Sequence, residues 1–222
     1  MSFKIEVADD ALWAVEAAAR VRSFLPPAGS VVLTGGGTAK TLYAELATTA
    51  AGWSNIDVYF SDERSVDPGD ERSNFKMTDD TLLVHVTPRS VHRMKGELDP
   101  LEAAQQYEAE ARSGLSEPEL AVLGLGADAH IAALFPHSAA VAEKDRLCVP
   151  VARPDGLTGL SLTLPALLRA KNLIIIATGE GKAGAVTRAV GGEEASDRCP
   201  VVGLRDHPRA MLLADRSAAS RL

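Results

Sequence analysis

The chain reads as an α/β protein, a layered, Rossmann-like, mostly parallel sheet with helices on both faces. Three observations predict this. Apolar runs of strand length recur, the strongest being Asn172-Leu173-Ile174-Ile175-Ile176-Ala177-Thr178. Helical stretches alternate with these runs along the chain. Glycine-rich turns follow several of the runs, at the carboxyl ends of strands where open α/β sheets bind ligands.

In chain order, Asp9 or Asp10 caps a helix running to about Phe24, and Pro26-Pro27-Ala28-Gly29 ends it. Ser30-Val31-Val32-Leu33-Thr34 reads as a buried strand. Gly35-Gly36-Gly37 turns the chain into a helix from about Ala39 to Ala50. Asn55–Phe60 is the next strand, followed by a long polar loop to Arg72 and a helix from Asn74 to Leu83. Pro100 to Ala111 is a helix with proline at its start and glutamates early. Ser113–Glu117 is a surface turn. Strands follow at Leu120–Leu123, near Leu147–Val151, and at Leu160–Leu164. After the strand Asn172–Thr178, Gly179-Glu180-Gly181-Lys182 opens another helix, and Met211–Ala214 is the last strand. With no linker, repeat or low-complexity tract, residues 1–222 are expected to form one domain.

The composition narrows the function. The chain is 46% hydrophobic, enough for a full core, and its formal charge is −7 without a basic stretch. Nucleic acid and anionic membrane are therefore not expected as partners. Cys148 and Cys199 are too few for a disulfide framework, and the N-terminus lacks the apolar core of a signal peptide. A cytoplasmic setting is expected. His85, His92, His137 and His207 show no metal spacing, and no Gly-x-Ser-x-Gly elbow is present. No metal or cofactor is expected.

Four stretches carry chemistry. In Thr34-Gly35-Gly36-Gly37-Thr38, bare amides at a helix start suit a phosphate, with the Thr38 hydroxyl and Lys40 as helpers. A plain glycine turn explains the same residues. Ser61-Asp62-Glu63-Arg64 follows a strand. Arg64 there suits bidentate binding of an anion, with Asp62 and Glu63 orienting it or a substrate hydroxyl; a solvated loop is the alternative. In Gly124-Leu125-Gly126-Ala127-Asp128-Ala129-His130, Asp128 can fix the His130 tautomer for general-base work. It can equally cap a helix starting near His130. In Thr178-Gly179-Glu180-Gly181-Lys182, Lys182 and a helix dipole act together on an anion, or the segment is a turn with an exposed lysine.

These stretches, in this order, resemble the 6-phosphogluconolactonase family over nearly the whole chain. Phe60-Ser61-Asp62-Glu63-Arg64-Ser65-Val66, with Glu71-Arg72-Ser73-Asn74 after it, is the most specific match. Leu123-Gly124-Leu125-Gly126 through Leu134-Phe135-Pro136 matches the histidine motif, and Asp215-Arg216-Ser217-Ala218-Ala219 a C-terminal Asp-x-x-Ala-Ala. The resemblance implies a fold like those of glucosamine-6-phosphate deaminase and ribose-5-phosphate isomerase. It also implies a metal-independent lactonase acting on a phosphorylated sugar lactone in the oxidative pentose phosphate pathway. A monomer or homodimer is expected. The implied catalytic pair is His130 and Asp128. The implied substrate and phosphate ligands are Gly36, Gly37, Thr38, Asp62, Arg64, Asn74 and Lys182. The family usually reads Asp-Gly-His-Thr-Ala-Ser where this chain has Asp128-Ala129-His130-Ile131-Ala132-Ala133, and often has arginine where Gly159 stands. The sister deaminases share the isoleucine but continue with Phe-Asn-Glu-Pro, whose acid is missing from Ala133-Leu134-Phe135-Pro136. A deaminase and a non-catalytic sugar-phosphate binder are the alternatives.

Overall fold

The structure is a computed structural model that describes residues 3–49, 51–191 and 194–222. Its elements are β1 (Lys4–Ala8), α1 (Trp13–Phe24), β2 (Gly29–Leu33), α2 (Gly37–Leu46), β3 (Ile56–Phe60), β4 (Asp62–Arg64), α3 (Asn74–Thr78), β5 (Ser90–His92), α4 (Pro100–Gly114), β6 (Leu120–Gly124), β7 (Cys148–Ala152), β8 (Thr158–Leu162), α5 (Leu164–Leu167), β9 (Leu173–Ala177), α6 (Ala183–Gly191) and β10 (Ala210–Asp215). Seven strands form one sheet in the order β1-β10-β9-β6-β2-β3-β5, and every pairing in it is parallel. A second, antiparallel sheet has the order β4-β8-β7.

Side chains alternate across a strand, so an unbroken apolar run must feed two cores. Val31 and Leu33 of β2, with Ile174 and Ile176 of β9, pack under α1 and α2 beside Leu42, Tyr43 and Trp13. Val32, Leu173, Ile175 and Ala177 point the other way, toward Tyr107 of α4, Val186 of α6 and the small sheet. The expected layering, with helices on both faces, is what the molecule shows.

Several boundaries differ from the sequence reading. The first helix starts at Trp13 with no side-chain cap; Asp9 accepts from the Ala11 amide, and Asp10 accepts from Ser217. The helix after the glycine turn runs from Gly37 to Leu46, and the expected end at Ala50 lies outside the described residues. Residues Asn74–Leu83 are helical as read, but the second half, Asp79–Leu83, is a π-turn. The strand predicted at Leu160–Leu164 stops at Leu162, where Thr163 accepts from the Ala166 amide and starts α5. Among the described residues no helix is long and apolar enough to cross a membrane.

Candidate active site

The chain leaves β2 to build β3 and β5 on one side, then returns to place β6 on the other side of β2. This reversal opens a crevice at the strands' carboxyl ends, where doubly wound sheets bind ligands. A cavity of about 460 Å³ lies there, lined by residues that follow β2, β3, β6, β7 and β9. Gly36, Gly37, Thr38, Asp62, Arg64, Asn74, His130 and Lys182 all face it. Asp128 does not line the cavity and reaches it through His130. Lys40 is exposed and lies outside the lining, so the sequence reading of it as a helper is corrected.

The glycine turn starts from a fixed point. The buried Tyr43 hydroxyl accepts from the Thr34 amide at 2.9 Å and donates to the Thr34 carbonyl at 2.8 Å. Gly36 then takes a φ of 97°, which glycine adopts freely, and no side chain caps α2. The first N–H groups of α2 are thus left for an anion at the positive end of the helix. The Thr38 and Thr178 hydroxyls meet at 2.7 Å and join this turn to the one after β9. In that second turn, both carboxylate oxygens of buried Asp215 accept from the Gly179 amide, at 3.0 and 2.9 Å, and one also accepts from Ala218 at 2.7 Å. The C-terminal Asp-x-x-Ala-Ala is therefore the brace of the turn that carries Lys182. Burial lowers the Lys182 ammonium pKa, and the charge of Asp128 partly offsets it.

Asp62-Glu63-Arg64 is not a loop. It is β4, paired antiparallel with β8 so that Arg64 lies opposite Gly159. Asp62 is buried, and its carboxylate accepts from the Ser61 hydroxyl at 2.8 Å and the Asn74 side-chain amide at 3.0 Å. Glu63 does not face the cavity. It is 3% exposed and accepts from the amides of Arg64, Asn74 and Phe75 and from the Ser73 hydroxyl, all within 2.9 Å. Burial raises its carboxyl pKa despite these donors. Glu63 thus clamps the start of α3 to β4 and orients Arg64 and Asn74 from outside the cavity lining. Arg64 donates to the Arg72 carbonyl.

No helix begins near His130; residues 126–134 are consecutive turns. The Gly126 amide donates to the His130 carbonyl at 2.8 Å, and the Ala129 amide to the Gly126 carbonyl at 3.0 Å. This closure brings His130 Nδ1 to 2.6 Å from Asp128 Oδ1. Burial raises the Asp128 carboxyl pKa, but the hydrogen bond and charge of His130 outweigh it and hold the group down at about 2. An ionised Asp128 accepts the proton on Nδ1, which makes Nε2 the basic nitrogen. Among the described residues nothing hydrogen-bonds Nε2, and the ring packs 4.6 Å from the Phe135 ring. The arrangement suits removal of a proton from a water near an anchored anionic substrate. Ile131 and Ala133, where the resemblance has hydroxyls, are fully buried in the core and do not line the cavity.

Two cavity residues, Thr41 and Arg153, had no signal in the sequence. Arg153 stands in the hairpin Arg153-Pro154-Asp155-Gly156, which composition marks only as a polar turn, yet its side chain forms part of the wall.

The chain is 35% identical to the 6-phosphogluconolactonase of Streptomyces coelicolor, over 96% of this chain and 92% of that protein. It is 34% identical to that of Mycobacterium tuberculosis, over 86% and 84%. In fold it is similar to the 6-phosphogluconolactonase of Thermotoga maritima, with a TM-score of 0.85, 24% identity, and coverage of 96% of this chain and 99% of the other. It is similar to a monomeric glucosamine-6-phosphate deaminase to the same degree, with a TM-score of 0.85, 22% identity, and coverage of 99% and 100%. At those identities the structural likenesses speak for the fold alone. A family profile described as glucosamine-6-phosphate isomerases/6-phosphogluconolactonase matches residues 5–212, and the chain belongs to that family.

Proposed function

We propose that this protein hydrolyses 6-phospho-D-glucono-1,5-lactone to 6-phosphogluconate, the lactonase step of the oxidative pentose phosphate pathway. The observation that carries the reading is the Asp128–His130 pair, 2.6 Å apart, in a cavity that also offers an uncapped helix start and the cations Arg64 and Lys182. The curated relatives named 6-phosphogluconolactonase, at 34–35% identity over most of the chain, support the same substrate.

The phosphate is held by the Gly36–Thr38 turn, Arg64 and Lys182, with Asp62 and Asn74 on the same wall. Its binding energy aligns the lactone carbonyl with a water at His130. Nε2 takes the water proton as the hydroxyl adds to the carbonyl carbon. Asp128 keeps the proton on Nδ1 and stabilises the imidazolium. When the tetrahedral adduct collapses, the bond from the carbonyl carbon to the ring oxygen breaks. Nε2 then returns its proton to that oxygen, leaving the acid and a hydroxyl.

The test is a coupled assay on wild type and His130→Ala. General-base help is worth about 10²- to 10⁴-fold, so kcat should fall by that range while product binding is kept. Equal rates above background for both proteins would remove His130 from the chemistry. Ammonia release from glucosamine 6-phosphate would instead point to a deaminase.

A further inference from the structure

The cavity wall holds a cation that the acid–base pair and the glycine turn leave unused. Arg153 follows β7, and its side chain is only 9% exposed. Its Nε donates to Asp155 at 3.2 Å, and its Cζ lies 5.4 Å from the centre of the Phe135 ring. Its Nη1 is buried without a hydrogen-bond partner. The Asp62 carboxylate oxygen 3.9 Å from Nη1 is at ion-pair distance, too far for a hydrogen bond. That carboxylate is already supplied by Ser61 and Asn74. A buried guanidinium with open donors is costly unless something anionic completes it.

Gly159 explains how the side chain reaches this place. A Cβ at position 159 would lie 2.7 Å from the Glu63 carbonyl oxygen and 3.1 Å from Arg153 Cδ. The stem of Arg153 therefore occupies the space beside β8 that a side chain on Gly159 would need. Gly159 also sits opposite Arg64 in the β4–β8 pairing, so both guanidiniums flank one stretch of the cavity wall. Arg64 Nε is likewise buried without a partner.

We propose that Arg153 is a ligand for the phosphate of the substrate, delivered from the β7 side of the hairpin across Gly159 and acting beside Arg64. This rests on the reading that the substrate is a phosphorylated lactone. The Asp155 hydrogen bond to Nε and the Phe135 ring hold the guanidinium in position, and Nη1, without a hydrogen-bond partner beside Asp62, is left for the phosphate oxygens.

The experiment titrates inorganic phosphate and 6-phosphogluconate into wild type, Arg153→Met and Arg153→Lys by calorimetry, with thermal unfolding as the check of fold. Methionine keeps a flexible stem against Gly159 and Phe135 while removing the charge. Charge-assisted hydrogen bonds of this kind set the expected loss for Arg153→Met at about 10- to 100-fold in Kd for both ligands. Arg153→Lys, which keeps the charge without the fork, should lose less. Unphosphorylated gluconate should bind all three proteins equally. Unchanged Kd values for phosphate and product in folded Arg153→Met or Arg153→Lys would overturn the assignment. So would a fall in kcat with Kd unchanged, which would place the guanidinium at the reacting carbonyl. A wild type that binds phosphate but hydrolyses no phospholactone would sink the lactonase reading and leave the Arg153 titration to be judged by itself.

Discussion

The residue on which the Asp128–His130 pair most depends has no side chain. A Cβ on Gly126 would lie 2.1 Å from His130 Nδ1 and 2.6 Å from Asp128 Oδ1, so only glycine lets the carboxylate and imidazole close on each other there. Between the pair stands Ala129, with a φ of 70° in the left-handed region and no exposed surface. The left-handed backbone costs a non-glycine residue about 1–2 kcal/mol. Replacing Ala129 by glycine removes that cost. It also loses a buried methyl worth about 0.8 kcal/mol and adds unfolded-chain freedom worth about 0.4–1 kcal/mol. These effects nearly cancel, which explains how alanine is accommodated. Ala129→Gly should therefore shift the unfolding free energy by less than about 1 kcal/mol in denaturant titration and leave kcat within a few-fold. A destabilisation above about 2 kcal/mol would mean that the methyl, and not the backbone, sets the balance at this position.

Elements matter here through how their ends are pinned. Tyr43 closes the backbone of Thr34 at the end of β2, and Tyr107 does the same for Phe60 at the end of β3, at 2.8 and 3.0 Å. Glu63 pins α3 to β4. Glutamine at 63 offers one acceptor oxygen where two are used and turns an NH₂ group toward backbone donors. Each buried donor left unpaired costs about 1–3 kcal/mol. Glu63→Gln should lower stability by at least that much and raise KM through Arg64 and Asn74, with kcat changed little. An unchanged KM would separate the clamp from the cavity. The long apolar strands and the longer helices were legible because one element's periodicity suffices to identify them, whereas the four-residue α5 was read as the end of a strand. β4 was not, because three charged residues become a strand only through pairing with β8, from Asp62 opposite Ser161 to Arg64 opposite Gly159. β1 and β5 also went unread; they are short sheet edges with half-exposed patterns and little apolar signal.

At the scale of the whole molecule, the cavity residues named from the sequence converge because the loops after β2, β3, β6 and β9 share one end of a parallel sheet. That much follows from motif order. Arg153 does not, since its reach depends on the empty face of Gly159, a contact between two strands of a hairpin. The net charge of −7 is compatible with an anionic substrate because Arg64, Arg153 and Lys182 gather at this end beside the uncapped start of α2. Elsewhere the acids govern how the fold responds to pH. Arg89 hydrogen-bonds Asp57 across the β3–β5 edge, burial opposes it, and Ser90 adds a donor; together they hold the carboxyl pKa at about 2. Asp128 is held at about 2 as well, and Glu143 is held there first by the Asp145 amide and then by Arg146. For each, the folded pKa lies below the unfolded one, so between about pH 4 and pH 2 the unfolded chain binds more protons. The stability they contribute is complete above the unfolded pKa and is lost as pH falls through that window. Burial of Glu63 acts with the opposite sign, since its raised pKa weakens the fold as it ionises. Asp57 is the clean probe because it lies outside the cavity. Asp57→Asn should be less stable than wild type in denaturant titration at pH 6, and the gap should narrow as pH falls from about 4 and close only below about pH 2, where wild-type Asp57 becomes protonated in the fold as well. A gap of the same size at both pH values would show that the carboxylate's charge is not what ties β3 to β5.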